Sequence, residues 1–253
     1  MAGARGSGCG IRFYLVVILA LDTTTRAGSV AVLEDDTVLS SVPGDGNLTH
    51  GERLPGEMAR AIDQAGLSLR AIELLAVASG PGAFTGLRIG LAAAQGLALV
   101  LDTPAIGVSS LDALAFATWP QLAQPTETTL WAWMDAQRGE VFAARYEPGD
   151  DDWAPKGPPV VAEPSRLLPL IDISRSGPIV IVGDGAAKHR QAIDAWSDGA
   201  WQIVDPPTML AIAIGMLGRR LAARGHAGAP HALQPLYVRR PDAELERERR
   251  LTP

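Results

Sequence analysis

A cluster of one carboxylate and two hydroxyls follows the first apolar run of the chain and could bind a phosphate. Asp22, Thr24 and Thr25 come directly after the apolar stretch 13–21. A carboxylate beside hydroxyls in a turn can hold a metal ion together with the phosphate that the ion carries. The same residue types also end an ordinary strand, because Asp and Thr favour turns. The spacing alone leaves both interpretations open, a phosphate site or a turn.

Two glycine-containing turns offer further positions for an anion or a nucleoside. Thr85 and Gly86 stand at the predicted start of a helix, whose first N–H groups lack partners within the helix and can bind an anion. The alternative is a helix cap with tight packing at the glycine. Gly183, Asp184 and Gly185 form a strand-to-helix turn that could face an adenosine, although such turns are common in unrelated proteins.

Several well-known catalytic arrangements do not occur in the sequence. A P-loop needs a lysine after its glycines, and neither Lys156 nor Lys188 has that setting. The turn 80–86 (GPGAFTG) has neither GxGxxG nor GxxxxGK spacing, and residues 107–111 (GVSSL) lack the GxSxG nucleophile pattern. The histidines form no HExxH or HxxxH pair, so a helical zinc site is not expected. Cys9 is the single cysteine, which excludes a disulfide scaffold.

The charge balance argues against a protein that binds nucleic acid unaided. The chain has 253 residues, with 22 Lys and Arg against 28 Asp and Glu, a net charge of −6. Binding to a nucleic-acid backbone depends on Lys and Arg that displace counterions. The length suits one or two domains with a large buried core.

Hydrophobic patterning predicts that the first half of the chain alternates strands with helices. The predicted elements are three strands, a helix, a strand, a helix and a strand, at about 15–22, 28–35, 37–42, 50–65, 74–79, 86–101 and 105–108. Thr49 and Glu52 fit a capping box at the start of the first helix, and Gly66 stands where a helix often ends.

The second half repeats this order, which indicates a duplicated α/β protein. Strands are predicted at about 129–135, 140–147, 159–162 and 178–182, with helices after Ser165 and from about 187 and a final apolar helix at 209–223. Both halves open with an Asp at a strand end, Asp22 and Asp135, followed by a short turn. Two βββαβα lobes would enclose a cleft, where ligands tend to bind.

The predicted organisation has two lobes between two terminal segments. We expect a flexible extension at 1–12, a first lobe at 13–108 plus about 207–226, a second lobe at 109–206 and a C-terminal tail at 227–253. Within that tail, the mixed-charge run 243–250 is predicted to be a solvated tail or a short helix.

The apolar run near the N-terminus could be read as a signal peptide or as a buried strand. Arg5 and Arg12 precede it, but no small-x-small cleavage site follows it, and this favours the strand. No apolar stretch reaches the ~20 residues that a membrane span needs. We therefore expect a soluble, cytoplasmic protein.

The predicted helix at 86–101 is unusually apolar. It carries one charge, Arg88, and is small or apolar on every face, which predicts a helix buried all round. Gly90 and Gly96 in its interior each cost about 1 kcal/mol relative to Ala, which close packing can offset. One side would lie on the sheet. The other would meet either the helix at 50–65 alone or that helix and another chain, and the pattern leaves both open.

Seven motifs, in order along almost the whole chain, resemble the TsaB (YeaZ) family of bacterial tRNA threonylcarbamoyladenosine biosynthesis proteins. They are ILALDTTT (18–25), HGERL (50–54), GPGAFTGLRIGLAAAQGLAL (80–99), GVSSLDALA (107–115), DAQRGEVFAARY (135–146), GDGA (183–186) and PLYVRR (235–240). The GPGAFTGLRIG segment is the most specific. The resemblance implies the two-lobed actin-like ATPase fold (ASKHA, ribonuclease H-like) and a cytoplasmic, non-catalytic subunit.

That resemblance also implies partners. TsaB-like proteins bind the catalytic paralogue TsaD and act with the ATPase TsaE, so tRNA is contacted only through the complex. In the absence of TsaD, the same surface is implied to form a homodimer. The implied interface lies on the helices at about 50–65 and 86–101, with these candidate residues: Leu54, Met58, Ile62, Arg88, Gly90, Leu91, Ala94 and Leu97.

This sequence lacks residues that the related proteins use to bind a metal ion or a nucleotide. TsaD-like proteins carry an HxxxH metal pair, and the matching positions here are Ser110 and Leu114, which cannot replace imidazole. No metal is therefore expected and no cofactor required, although weak binding of ATP or ADP with Mg²⁺ stays open at a vestigial nucleotide site. The candidate residues of that site are Asp22, Thr24, Thr25, Asp135, Gly183, Asp184 and Gly185.

Three alternative functions stay open from the sequence. The chain could be a phosphotransferase that uses Asp22 and Asp135 in the cleft, a metallopeptidase of the related glycoprotease type, or a protein that binds tRNA directly. ATP binding, metal content and tRNA affinity of the isolated chain distinguish them.

Overall fold

The computed structural model describes residues 15–149, 152–171 and 177–239, which contain two β-sheets. The extension expected at 1–12 and the mixed-charge run 243–250 lie outside the described residues, and both stay predictions.

The first sheet is built from five strands of the first half of the chain: β1 (Val17–Asp22), β2 (Ser29–Glu34), β3 (Thr37–Pro43), β4 (Leu74–Gly80) and β5 (Ala105–Ser109). Their order in the sheet is β3-β2-β1-β4-β5. The first three strands are antiparallel neighbours, whereas β4 runs parallel to β1 and β5 runs parallel to β4. All residues of β1 are buried, as expected for a central strand covered on both faces.

Three helices connect these strands or follow them: α1 (His50–Gln64), α2 (Phe84–Leu101) and α3 (Ser110–Thr118). The predicted capping box starts α1, because Thr49 N donates to Glu52 Oε2 at 2.9 Å and Glu52 N donates to Thr49 Oγ1 at 3.4 Å. Gly66 follows the helix with φ +69°, a conformation that suits glycine. Both α1 and α2 cover one face of the first sheet.

The second sheet contains the strands of the second half: β6 (Thr129–Asp135), β7 (Val141–Gly149), β8 (Asp152–Pro155), β9 (Val160–Ala162), β10 (Ile179–Val182) and β11 (Gln202–Val204). Their order is β11-β10-β6-β7-β8, and β9 also pairs with β7. The strand β6 is antiparallel to β7 and parallel to β10, which repeats the relationship of β1 to β2 and β4. The helices of this half are α4 (Pro164–Leu167), α5 (Asp184–Lys188) and α6 (Arg190–Ser197).

The prediction of a duplicated α/β protein is confirmed, because both sheets place a central strand between an antiparallel hairpin partner and a parallel strand. The patterning missed α3, β8 and β11. The helix predicted from about 187 is two helices, since α5 ends at Lys188 and α6 begins at Arg190.

A last helix, α7 (Leu210–Ala223), lies with α3 between the two sheets. Its glycines permit close packing: a Cβ atom on Gly215 would stand 2.5 Å from Leu33 Cδ1, and one on Gly218 would stand 2.7 Å from Ala76 Cβ. Apolar side chains of both sheets join these helices in one core cluster. The two sheets are therefore held together at their base by packed apolar side chains.

Among the described residues, α2 is the one helix that is long and apolar enough to cross a membrane by length and composition. Core helices of soluble proteins satisfy the same criterion, and α2 packs along the first sheet through buried residues. The composition of α2 is therefore not sufficient to assign it to a membrane.

The segment expected to be part of a C-terminal tail packs against the protein where it is described. Leu233 is buried among side chains of the first sheet, and Leu236 N donates to Ser79 O at 2.7 Å. Arg239 Nη1 donates to Ala136 O, 2.8 Å away in the second half of the chain. Residues 233–239 therefore contact both halves of the chain, and the predicted domain boundaries stay a prediction.

Candidate functional site: the cleft and the outer helix face

A cleft of about 930 Å³ lies between the two sheets. Its walls include the turn after β1, the turn between β4 and α2, and the turn after β6. Of the seven residues predicted at a nucleotide site, Thr24, Asp135 and Asp184 line it. The structure therefore brings residues of both halves together, as the duplicated Asp-and-turn pattern predicted.

Asp22 does not line the cleft, because the turn that follows it occupies its carboxylate. Oδ1 accepts hydrogen bonds from Thr24 N at 2.8 Å and from Thr24 Oγ1 at 2.7 Å, and Oδ2 accepts one from Thr25 Oγ1 at 2.6 Å. Asp22 and Thr24 are buried, and Thr24 Oγ1 also accepts a hydrogen bond from Ser110 Oγ at 3.0 Å. In this geometry the cluster closes a turn.

On the other side of the cleft, Asp135 is paired with a lysine. Lys188 Nζ donates to Asp135 Oδ2 at 2.8 Å, and Gln137 N donates to Oδ1 at 2.9 Å. Asp184 Oδ1 accepts a hydrogen bond from Asp135 N at 3.0 Å. Burial raises the pKa of Asp184, and the hydrogen bond from Asp135 N opposes that rise. Neither carboxylate stands free toward the cleft.

The glycines of the GDG turn pack against β6 instead of facing a ligand. A Cβ atom on Gly183 would stand 2.0 Å from Trp133 O, and one on Gly185 would stand 2.9 Å from the backbone of Met134. These two positions need glycine because α5 begins directly against the strand. Both glycines are absent from the cleft wall.

The N-terminal turn of α2 is packed onto the turn after β1. Thr23 Oγ1 donates to Gly86 O at 2.7 Å, and a Cβ atom on Gly86 would stand 2.0 Å from Thr23 O. Gly82 also lies close to this turn, since a Cβ atom on it would stand 2.5 Å from Thr24 Cβ. The helix begins at Phe84 with no side-chain cap, so the tight packing expected at Gly86 is observed and the cap is not. Thr85 and Gly86 both line the cleft, and anion binding there stays a prediction.

A buried ionic network ties α1 to the same turn, and the sequence analysis missed it. Arg53 Nη1 donates to both oxygens of Glu57, at 2.8 and 2.9 Å, and both side chains are almost fully buried. Arg53 Nη2 lies 2.6 Å from His50 Nδ1. Burial, together with the charge of Arg53, lowers the pKa of His50, so the imidazole is held neutral. The HGERL motif (50–54) carries His50 and Arg53, and Glu57 follows it one helical turn after Arg53; this i, i+3, i+7 spacing was the available signal.

The positions matched to a metal pair have structural roles. Ser110 is fully buried and bonded to Thr24, and Leu114 belongs to the core between the sheets. Within the described part of the chain, no group of three or more His, Cys, Asp or Glu side chains could hold a metal ion.

Five of the eight residues expected at a partner interface are buried against the first sheet: Leu54, Ile62, Gly90, Leu91 and Ala94. These residues fill the core of the first half of the chain and offer little surface to another protein. A partner interface at these positions stays a prediction. Met58 and Leu97 are half-buried, and Arg88 is exposed.

The outer side of α2 is exposed, so the prediction of a helix buried all round is wrong for the single chain. Leu99 and Val100 are 75% and 78% exposed. The neighbouring helix α1 lies beside α2, since a Cβ atom on Gly51 would contact Ile89 at 3.8 Å. We use the name α1–α2 face for these exposed residues of the two helices: Pro55, Gly56, Ala59, Arg88, Ala92, Gly96, Leu99 and Val100. Other exposed residues of the same helices are Gly51, Glu52, Arg60, Asp63, Gln64, Phe84 and Thr85.

Sequence comparison connects the chain with tRNA modification proteins. The family described as "TsaD: tRNA N6-adenosine threonylcarbamoyltransferase" matches residues 38–224. The chain is 34% identical over 238 residues to the tRNA threonylcarbamoyladenosine biosynthesis protein TsaB of Escherichia coli (strain K12), across 88% of this chain and 94% of that protein. It is 27% identical over 242 residues to TsaB of Bacillus subtilis (strain 168), across 91% and 97%.

Solved structures agree with the sequence comparison. YeaZ from Pseudomonas aeruginosa superposes with a TM-score of 0.71 at 29% identity, across 88% of this chain and 100% of that one. An activator of 2-hydroxyisocaproyl-CoA dehydratase from Clostridium difficile, with bound ADPNP, matches with a TM-score of 0.50 at 12% identity, across 83% and 97% of the two chains, and shows the fold alone. The actin-like ATPase (ASKHA) fold is confirmed, and the chain belongs to the TsaB (YeaZ) family.

Proposed function

We propose that this protein takes part in tRNA threonylcarbamoyladenosine biosynthesis as a non-catalytic subunit that binds and activates a TsaD-like transferase. The names of its relatives in Escherichia coli and Bacillus subtilis support the pathway. The non-catalytic role is supported by the hydrogen bonds and the ion pair that Asp22, Asp135 and Asp184 make within the chain. The contact with TsaD is supported by the exposed α1–α2 face.

The observation that carries the proposal is that two large apolar side chains of α2, Leu99 and Val100, are exposed to solvent. Leu91 and Ala98 of α2 are buried against the sheet, while Leu99 and Val100 are mostly in water. Two adjacent large apolar side chains on a helix of small residues gain free energy when another surface covers them. The flanking Gly96 and Ala92 would let a partner helix approach closely.

The bonds that Asp22 and Asp135 make within the chain support a subunit without a required cofactor. A Mg²⁺ ion would need oxygen ligands from Asp22 or Asp135, and the turn or Lys188 already occupies them. Calorimetry of the purified chain with ATP and Mg²⁺ tests this part. We expect no saturable heat, and tight binding that Asp135→Asn abolishes would favour a phosphotransferase instead.

Binding to a purified TsaD-like protein from the same organism tests the interface. The double variant Leu99→Glu with Val100→Glu places two charges on the α1–α2 face, and burying unpaired charges is strongly unfavourable. We expect the variant to lose co-elution with the partner in size-exclusion chromatography. Because both positions are exposed, its thermal unfolding midpoint should stay close to that of the wild type.

Leu170→Glu is the matched control, since Leu170 is a 67% exposed leucine in the second half of the chain. It should leave co-elution unchanged. Unchanged co-elution of the Leu99 and Val100 double variant would overturn the proposed interface.

The remaining partners follow from the same proposal. A TsaE-like ATPase would join the complex, the free chain would pair with a second copy through the α1–α2 face, and tRNA would be bound through the catalytic subunit. A cytoplasmic location fits this role. Filter binding of tRNA to the isolated chain at physiological salt should be weak, as its net charge of −6 predicts.

A further inference from the structure

Residues 233–239, named here the strap, run along the open side of the cleft between the sheets. Leu236, Tyr237, Val238 and Arg239 line the cleft beside the turns that follow β4 and β6. At the opposite side, α3 and α7 join the sheets through a packed apolar core. The two halves of the protein therefore touch at a broad base and again at the strap.

The start of the strap is fixed firmly to the first sheet. Leu233 is 6% exposed, and its carbonyl oxygen accepts a hydrogen bond from Gln95 Nε2 at 3.2 Å. Leu236 N donates to Ser79 O at 2.7 Å. The backbone at Leu236 is so close to Gly80 that a Cβ atom there would stand 2.9 Å from Leu236 O.

The middle of the strap is joined to α2 by an aromatic contact. The rings of Tyr237 and Phe84 have centroids 5.7 Å apart. Arg88 stacks over Phe84 with its guanidinium carbon 4.0 Å from the ring centroid, and its Nε donates to Tyr237 Oη at 3.1 Å. Arg88 also belongs to the α1–α2 face, so the strap meets that face at this residue.

Arg239 makes the hydrogen bond and the ion pair that are described between the strap and the turn joining β6 to β7, while Val238 packs against the apolar core cluster. Arg239 Nη1 donates to Ala136 O at 2.8 Å, and its Nη2 pairs with Glu140. Its guanidinium carbon lies 5.7 Å from the centroid of the Phe142 ring. The side chain is 24% exposed, so water can compete for these contacts.

We propose that the strap is a latch that holds the cleft closed, with Arg239 as its releasable end. The contacts with the first sheet and with α2 keep the strap in place, and the polar contacts of Arg239 with the second half of the chain decide whether the cleft is closed. When Arg239 leaves Glu140 and the Ala136 carbonyl, the second sheet rotates away about the core formed by α3 and α7.

The latch also connects the cleft with the α1–α2 face, and this step rests on the proposed function. A partner that covers Arg88 changes the hydrogen bond from Arg88 Nε to Tyr237 Oη, and this changes the position of the strap. Coupling between two sites is reciprocal, so release of Arg239 changes the affinity of the partner although Arg239 lies outside the α1–α2 face.

Distance measurement by pulsed electron spin resonance tests the latch in the full chain. Spin labels at Gln64→Cys on α1 and Ala195→Cys on α6 report the separation of the two halves, in a Cys9→Ser background. We expect the wild type to give one narrow distance distribution. Arg239→Ala and Glu140→Gln should both broaden it and shift its mean to longer distance.

Arg190→Ala is the control, because Arg190 pairs with Asp205 on the exposed surface, away from the strap. It should give the wild-type distribution. Circular dichroism verifies that every variant is folded. Distributions of Arg239→Ala and Glu140→Gln that match the wild type would overturn the latch.

The affinity of the TsaD-like partner for the same variants tests the coupling. We expect Arg239→Ala to change the Kd by about fivefold or more while Arg190→Ala leaves it unchanged, since allosteric coupling commonly amounts to about 5- to 150-fold. An unchanged Kd together with an altered distance distribution would contradict the coupling and agree with the latch. Absence of any partner binding, with the same altered distribution, contradicts the proposed function and not the latch.

Discussion

Gly90 of α2 lies directly against Thr23 at the end of β1, so close that a Cβ atom on Gly90 would stand 2.2 Å from Thr23 Oγ1. The same hydroxyl donates to Gly86 O at 2.7 Å, one helical turn earlier. Two glycines four residues apart therefore let α2 approach the turn after β1, where a nucleotide site had been expected. Their role is in packing, and the exposed α1–α2 face lies on the other side of the helix.

This contact predicts opposite effects for the two interior glycines of α2. Gly90→Ala must push the helix from the strand or break the hydrogen bond of Thr23, at a cost of about 1–3 kcal/mol in the free energy of unfolding. Gly96→Ala meets no atom within 4 Å and should gain up to about 1 kcal/mol from helix propensity. Urea denaturation measures both, and equal shifts of the same sign would show that the contact does not matter.

The buried pair of Arg53 and Glu57 predicts a large loss of stability when one partner is removed. Their side chains are 4% and 2% exposed, so Glu57→Gln leaves the guanidinium charge buried without compensation. We expect a loss of about 3–5 kcal/mol in the free energy of unfolding. The exposed pair of Arg190 and Asp205 is the comparison, where Arg190→Ala should change stability by no more than about 1 kcal/mol. Similar losses in the two variants would contradict the role of the buried network.

The neutral state of His50 predicts that acid destabilises the protein. Burial and the Arg53 charge lower the pKa of His50, whereas the carboxylates of Asp22 and Glu57 oppose this. As the pH falls through about 6.5, the unfolded chain takes up a proton that the folded chain does not, so stability is lost below that pH. His189 adds an effect of the same sign, because burial and Lys188 lower its pKa.

His50→Gln should therefore flatten the dependence of the thermal midpoint on pH between about pH 5 and pH 7. His226→Gln, at an exposed histidine, is the control and should leave the slope as it is. A slope that is the same in wild type and His50→Gln would contradict the assignment of the effect to His50.

The hydrogen bond between Tyr146 and Asp112 joins the second sheet to α3 and predicts a further loss. Tyr146 Oη donates to Asp112 Oδ1 at 2.7 Å, and burial already raises the pKa of Asp112. Tyr146→Phe leaves that carboxylate with fewer donors, so its pKa should rise further and stability should fall by about 1–3 kcal/mol at neutral pH. The loss of stability relative to the wild type should become smaller as the pH falls, because Asp112 of the folded variant then takes up a proton. A deficit that grows with acid would contradict this reading, and guanidinium titrations at several pH values measure it.

The elements that carry the site could be predicted from the sequence where local signals are strong. The unbroken apolar run before Asp22 indicated a buried strand, and the capping box of Thr49 and Glu52 marked the start of α1. The helix α3 was missed because it is short and mostly buried, so its apolar positions show little periodicity.

The use of the polar residues could not be predicted, because it depends on contacts between distant parts of the chain. Asp22 has the same sequence neighbours whether it binds a metal or closes a turn, and only the packing of α2 and α3 on that turn distinguishes these. Similarly, a helix apolar on every face does not reveal which side meets the sheet. The burial of Gly90 and the exposure of Leu99 are determined by tertiary packing.

Reconstituted tRNA threonylcarbamoylation by the TsaD-like and TsaE-like proteins, with wild-type or variant chain added, tests the central claim most directly. We predict that activity requires this chain, persists with the folded variant Asp135→Asn, and is lost with Leu99→Glu and Val100→Glu together. Full activity without the chain, or loss with Asp135→Asn and retention with the double variant, would contradict a non-catalytic subunit that acts through the α1–α2 face.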